Sequence, residues 1–390
     1  MSSEVLINQP KKQRNAMLDV VRILAMLFIV IHHLTINNIG LSDIENGVAA
    51  SLIPQYLGTS FIDVFVIIGV NVFFLISGYF SIKLKPRKIL LLLFKVYIYW
   101  ILSVLIGMAS GLIKFAGVLD GLKYCVIAVS KYWFILIYMM LCLFAPALNE
   151  IAKLIVGKRG GVKYFVFIST VFFCVIGFVA DYFYPIMGTN NGYSVIWAAV
   201  PYLYGRIIFF KKDELKNKPV FWFIAFVLLS LANYAIIAPL IATGHGKVAW
   251  HFYGYNNPLI MASSLCFVMT FISMKPITNP KASKVISFIA QHTLAVYLLH
   301  SNNPLLGSRR AFFIEKVSPL WAKFAVLIPN ALVLFAIGIA VDALYELLLS
   351  KPLNFISQKF EKLCLFLYEK FMNAFSKLFR QKPSSTEQKN

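Results

Sequence analysis

Charge is scarce in this chain, and acid most of all. Asp and Glu total 16 against 37 Lys and Arg, and charged residues together make up only 14% of the sequence. A soluble domain carries about 25% charged residues, so a water-facing globular fold of this length is excluded. Cysteine is sparse and unpatterned. The five residues Cys125, Cys142, Cys174, Cys266 and Cys364 lie in or beside apolar runs, with no C-x-x-C spacing. They argue against a disulfide framework or a thiolate metal site and read as small apolar packing residues; no metal is expected. No internal repeat and no second soluble domain is visible. What the chain has in abundance is apolar surface: 59% of residues are hydrophobic and the mean hydropathy is +0.76. The formal net charge of +21 would suggest nucleic acid in a soluble protein. Here Lys and Arg sit in short clusters between apolar runs, so they read as membrane-topology signals, and no nucleic-acid partner is expected.

A helix needs roughly 17–25 mostly apolar residues to cross a bilayer. Ten runs qualify, at about 16–36, 62–81, 89–110, 132–148, 164–180, 194–210, 220–240, 258–274, 285–301 and 325–349. Unpaired backbone is not tolerated in hydrocarbon, so these runs should be helices. The expected fold class is all-α: a polytopic integral membrane protein with about ten transmembrane helices. The first run reads as a retained helix rather than a cleaved signal.

The loops orient the chain. Lys11, Lys12 and Arg14 precede the first span; Lys83, Lys85, Arg87 and Lys88 lie between the second and third. Lys153, Lys158, Arg159 and Lys163 follow the fourth, Lys211, Lys212, Lys216 and Lys218 the sixth, and Lys275, Lys281 and Lys284 the eighth. Residues 37–61 and 181–193 contain no Lys or Arg, and only 302–324, with Arg309, Arg310, Lys316 and Lys323, departs from the alternation. The positive-inside rule then places both termini in the cytoplasm, in the cell membrane. Beyond Lys351 the pattern changes. Leu353, Ile356, Phe360, Leu363, Leu367 and Phe371 recur at helical spacing, interleaved with Lys359, Lys362, Lys370, Lys377 and Arg380. This is the pattern of an amphipathic helix on anionic lipid. The domain division is a cytoplasmic segment 1–15, a ten-helix domain 16–350, a basic amphipathic tail 351–382 and a disordered end 383–390.

Ionisable residues inside spans are costly, so each asks for a reason. The first span holds Asp19, Arg22, His32 and His33. Eleven residues at about 100° each bring Arg22 and His33 nearly to one face, about 16 Å apart along the axis. Asp19, three residues before Arg22, can pair with it. His32 points about 100° off that stripe, so its loss is expected to be mild. Taken singly, Arg22 could be a snorkelling anchor and His33 an interfacial polar residue.

The segment RNAMLDVVRILAMLFIVIHH, Arg14 to His33, resembles the opening of the membrane-bound acyltransferase-3 family, whose first helix has an Arg–ten residues–His spacing matched by Arg22 and His33. NVFFLISGYF (Asn71–Phe80), YWF (Tyr132–Phe134) with PALN (Pro146–Asn149), and TLAVYLLH (Thr293–His300) are similar to further family segments in the same order. The wording resembles most the branch that O-acetylates capsular or exported polysaccharides in bacteria. One departure is the family's Arg–x–x–Arg pair near the third helix. Lys85, Arg87, Lys88 and Lys95 stand there instead, with Lys95 aligned to the second position. No hydrolase-like domain follows the spans, as it does in some relatives.

The resemblance implies transfer of an acetyl group from acetyl-CoA, bound as a substrate, to a sugar hydroxyl. Arg22 would hold a donor phosphate or the pantetheine arm, and His33 would act as base or acyl carrier. Asp19, Asn71, Ser77, Lys95, Tyr132, Trp133 and His300 are substrate- or donor-binding candidates. For Asn71 and Ser77 helix–helix hydrogen bonding is the competing role, and for Tyr132 and Trp133 it is the membrane-interface belt. His245 and His251 have no supporting constellation in the sequence. Expected partners are membrane lipid, the acyl-CoA donor, a glycan acceptor and polysaccharide-assembly proteins. Two other classes stay open: a polysaccharide or lipid flippase, since intramembrane charges also mark transport paths, and a structural subunit of a surface-polymer machine.

Overall fold

A computed structural model describes residues 16–379, except Pro185, Lys216, 302–313 and 315–316, with side chains as far as Asn373. The expectations for 1–15 and 383–390, and the basic residues Arg309, Arg310 and Lys316, fall outside the described residues. Among those described there is helix and no strand. Besides a short helix at Val118–Val126, the helices are α1 (Ala16–Asn38), α2 (Ile53–Val66), α3 (Gly69–Phe80), α4 (Pro86–Ala109), α5 (Trp133–Gly157), α6 (Gly161–Phe183), α7 (Val195–Leu215), α8 (Pro219–Ala242), the short α9 (Gly246–His251), α10 (Pro258–Ser273), α11 (Pro280–Gln291), α12 (Thr293–His300) and α13 (Leu320–Phe379). Among the described residues eight continuous helical runs are long and apolar enough to cross a membrane: α1, α2–α3, α4, α5, α6, α8, α11–α12 and α13. The other two expected runs are also helical. α10 is apolar but only 16 residues long, and α7 ends in Lys211, Lys212, Asp213 and Glu214.

Burial separates centre from rim. The most apolar window of α2–α3 is 72% buried and that of α1 is 61%, against 17% for α6. α7 buries nearly every side chain from Trp197 to Ile208. α1, α3 and α7 thus form the middle of the bundle, and the others present apolar side chains such as Leu105, Phe167 and Leu228 outward, as lipid solvation requires. Close packing of α3 on α7 depends on two glycines. A Cβ at Gly78 would run into the Tyr202 carbonyl, and one at Gly205 into the Leu75 carbonyl. Small residues that let backbones touch are the usual adhesive between membrane helices, where no hydrophobic force drives association. Gly205→Val is therefore expected to lower the unfolding temperature of the detergent-solubilised protein sharply, because the neighbour it meets is backbone and cannot rotate away; overpacking costs about 1–3 kcal/mol even against movable side chains.

The second run begins earlier than its hydropathy suggests. Helix starts at Ile53, with Pro54 in its first turn, and continues to Phe80 across a break at Ile67–Ile68. Thr59, Ser60 and Asp63 lower the hydropathy there, yet all three are buried. The tail is helical as its pattern suggests, and it is one helix with the last span. α13 runs 60 residues through Pro329 and Pro352, about 90 Å at 1.5 Å per residue, against a hydrocarbon core of about 30 Å. Arg87, at the start of α4, donates from Nη2 to Asn354 Oδ1 (2.8 Å) and from Nε to Ser357 Oγ (3.3 Å), tying the two helices together where α13 leaves the bundle.

Candidate active site

The last turns of α1 and α12 meet in the middle of the protein. His33 Nδ1 lies 2.9 Å from His300 Nε2, and His300 Nδ1 lies 2.6 Å from the Val296 carbonyl oxygen one turn earlier on α12. A carbonyl can only accept, so His300 Nδ1 carries a proton. In the neutral ring its Nε2 is then a lone pair, which His33 Nδ1–H donates to. The remaining nitrogen, His33 Nε2, is left as an unprotonated base. His32 and His300 are buried, whereas His33 keeps partial exposure, as a group that must meet a substrate requires.

One face of α1 leads from this pair towards its own N-terminus. Arg22 Nη1 lies 3.2 Å from Asp19 Oδ1, and Ser287 Oγ on α11 donates to Asp19 Oδ2 at 2.9 Å. Asp19 is buried and sits in the first turn of α1, where a helix N-terminus favours negative charge. Two cavities open on Arg22. The outermost, of about 530 Å³, is walled by Lys83, Lys85 and Lys88 and reaches Ser77, Tyr138 and Cys142. The deeper one, of about 270 Å³, is mostly apolar and runs past Met26, Ile29 and Phe134 to Tyr297. Arg22, Ser77, Leu92 and Tyr138 line both, and the Tyr297 ring stands 6.2 Å from that of His300. A basic mouth, a guanidinium at its neck and an apolar passage that ends at Tyr297, the ring neighbour of His300, are therefore arranged in series.

His32 is not the idle neighbour its helical position suggests. Its Nδ1 lies 2.8 Å from Asp63 Oδ1 and 3.1 Å from Oδ2, and Thr35 Oγ1 donates to the same carboxylate at 2.7 Å. Asp63 is fully buried, so replacing His32 would strand a carboxylate in the core. The expectation of a mild effect is thereby corrected. Helical spacing places His32 off the stripe; it does not reveal the partner on α2.

The other candidates separate. Ser77 lines both inner cavities. Asn71 is fully committed, with Nδ2 donating to the Tyr255 carbonyl (2.8 Å) and Oδ1 accepting from Trp197 Nε1 (3.0 Å). Tyr132 is buried rather than at a lipid interface, and its hydroxyl donates to the Leu298 carbonyl on α12 (2.8 Å). Trp133 likewise packs inward, 4.5 Å from Tyr193 and 5.9 Å from Tyr255 between ring centres. Lys95 lines neither cavity on Arg22. It is paired with Asp342 on α13, at 2.8 and 3.0 Å to the two carboxylate oxygens. His292 Nδ1 (2.8 Å) and the Tyr99 hydroxyl share that carboxylate. His292, Asp342 and Glu346 have the mutual spacing of a metal site, but the Lys95 ammonium is already paired with Asp342, one of the two carboxylates they would offer. Sequence reasoning missed this hub because its members come from three separate segments.

A family model described as an acyltransferase domain matches residues 15–348, most of the chain. No curated protein and no solved structure matches it. The matched region starts before Arg22 and ends after Asp342, so it takes in the histidine pair, both cavities on Arg22 and the buried hub. With its apolar bundle and this match, the chain belongs to the acyltransferase-3 family and is a multi-pass membrane acyltransferase.

Proposed function

We propose that this acyltransferase moves an acetyl group from cytoplasmic acetyl-CoA to a hydroxyl of a surface or exported polysaccharide, or of its lipid-linked precursor, in the cell membrane. The observation that carries this reading is the His33–His300–Val296 relay beside Tyr297, the residue at which a passage with a basic mouth ends. CoA is a polyanion with a thioester at the end of a long flexible arm. Lys83, Lys85 and Lys88 suit its phosphates, and the Arg22 fork suits one of them or the arm's amides. The distance of about 16 Å from Arg22 to His33 matches such an arm laid along α1. His33 Nε2 then takes the proton of the acceptor hydroxyl as its oxygen attacks the thioester carbonyl. The C–O bond forms, the C–S bond breaks, and CoA leaves as the thiol once the proton is passed on. His300 holds the His33 ring and accepts from its Nδ1–H while the ring is charged. The polysaccharide acceptor is supported by the wording of the matched sequence segments, and by the cavity at the far end of α1 described below.

The reaction is tested with purified protein in lipid and acetyl-labelled acetyl-CoA, alongside the acetyl content of cell-surface glycan with and without the gene. Loss of the chain is expected to remove that acetylation. Unchanged glycan acetyl content, together with no turnover of the labelled donor, would sink the reading. Arg22→Lys keeps the charge and loses the planar fork, so it is expected to raise KM for acetyl-CoA roughly tenfold, the order of one charge-assisted hydrogen bond. Orientation follows the basic loops, with both termini cytoplasmic. Single cysteines placed at Asn8 and Glu387 are expected to resist an impermeant maleimide on intact cells; labelling from outside would reverse the topology.

A further inference from the structure

A third cavity, of about 180 Å³, lies at the opposite end of α1 from Arg22. His32 lines its α1 side, Asp181 comes from the last turn of α6, Asn191 from the segment between α6 and α7, and Lys247 and Trp250 from α9. Tyr193, 43% exposed, completes it. The 181–193 segment carries no Lys or Arg, as expected on the side away from the donor mouth.

The hydrogen bonding of Asp181 is lopsided. Its Oδ2 accepts three bonds, from Thr189 Oγ1 (2.7 Å), the Asn191 amide N–H (2.6 Å) and Asn256 Nδ2 (2.8 Å). Its Oδ1 has no partner although the residue is nine-tenths buried, and Asn191 Oδ1 is equally unpartnered. A buried acceptor without a donor costs free energy, so two on residues that line one cavity mark a place for a ligand that brings O–H or N–H groups. Asn191 is held there in a left-handed backbone conformation, with φ of 52°, uncommon for a residue other than glycine. Trp250 and Tyr193 supply flat apolar faces beside these acceptors. Glu45, His251 and Lys247 also line it, so the wall carries both signs of charge. A pocket on this scale takes one small polar ligand rather than a length of chain. Tyr193 also joins this cavity to the inner one: its ring packs on Trp133 at 4.5 Å, and Trp133 on Phe134 at 6.1 Å, which lines the donor passage.

We infer that this cavity is a monosaccharide subsite for the acceptor, entered from the side opposite the donor, with Asp181 Oδ1 and Asn191 Oδ1 accepting from ring hydroxyls. The inference rests on the acyltransferase reading for its purpose but not for its test. Purified protein is mixed with methyl glycosides of glucose, galactose, mannose and N-acetylglucosamine, and magnetisation transfer from protein to sugar is read by saturation-transfer NMR. At least one glycoside is expected to receive transfer from the wild type, reduced at least fivefold by Asp181→Asn and by Asn191→Gly. The first variant can keep the three bonds to Oδ2 while turning the spare acceptor into a donor. The second suits its backbone conformation, since glycine adopts positive φ freely, so folding is retained. No transfer to any of the four glycosides, or equal transfer in wild type and both variants, overturns the assignment. Because acetyl-CoA is absent, failure here is separate from failure of the donor assay.

Discussion

His33→Ala is expected to lower glycan acetylation by about 10²–10⁴-fold, the usual worth of a general base, while the protein accumulates in the membrane at its normal level. The side chain is partly exposed, and its one ring–ring hydrogen bond is to His300. Truncation therefore leaves His300 Nε2 facing open space and keeps the Nδ1 bond to Val296. His300 touches the base and not the substrate in this scheme, so it is a positioning residue. His300→Gln, whose side-chain oxygen can still accept from His33 Nδ1–H, should keep more activity than His300→Ala, with kcat affected and KM for acetyl-CoA unchanged. His32 behaves differently. His32→Ala strands the buried Asp63 carboxylate, with Thr35 its remaining donor among the contacts described, so it should reduce the amount of folded protein. Glycan acetylation measured per unit of membrane-inserted protein separates these outcomes. Normal specific activity in His33→Ala would remove this residue from the chemistry, and loss of the protein itself would make its role structural.

The residues of α1 were readable because one helix carries its own geometry. Asp19, Arg22 and His33 fall on one stripe by spacing alone, and the ion pair of Asp19 with Arg22 follows from three-residue separation. His300 was readable as a candidate from the motif that ends α12, but not its contact with His33, which joins residues 267 apart in sequence. The same limit hid the His32–Asp63 pair. Asp63 lies in a stretch whose Thr59 and Ser60 depress hydropathy, so hydropathy alone starts the run near residue 62, whereas helix begins at Ile53. Polar residues that satisfy one another inside a bundle look, in one dimension, like the edge of a span. His251 illustrates the reverse. It has no motif in the sequence, yet it lines the cavity at the far end of α1, donates from Nε2 to the Phe178 carbonyl at 2.8 Å and stacks on the Phe178 ring at 4.2 Å. Lys95 was read from the family pattern as a donor-binding cation, and the pattern could not show that Asp342, 247 residues later, neutralises it.

Asp342→Leu is expected to be the most destabilising single change in the bundle. The carboxylate is fully buried and receives Lys95, His292 and the Tyr99 hydroxyl, so it joins α4, α13 and the α11–α12 junction in one polar knot. Removing one member of a buried ion pair costs about 3–5 kcal/mol, chiefly because the opposite charge is left without a partner away from water. Here an ammonium loses its counter-ion and two further donors lose their acceptor. Asp342→Asn keeps one acceptor oxygen but not the charge, and should fall between wild type and Asp342→Leu. The informative variant is the double Asp342→Leu/Lys95→Met. It removes both charges and fills the space with apolar atoms, and such replacements of buried pairs are often neutral or stabilising. It should therefore recover most of the unfolding temperature lost in Asp342→Leu, measured on the detergent-solubilised protein. If it also recovers glycan acetylation, Lys95 serves the fold and the basic mouth handles the donor without it. If stability returns and acetylation does not, Lys95 has a role in donor use as well. An Asp342→Leu protein as stable as wild type would show that the knot contributes little to holding these helices together.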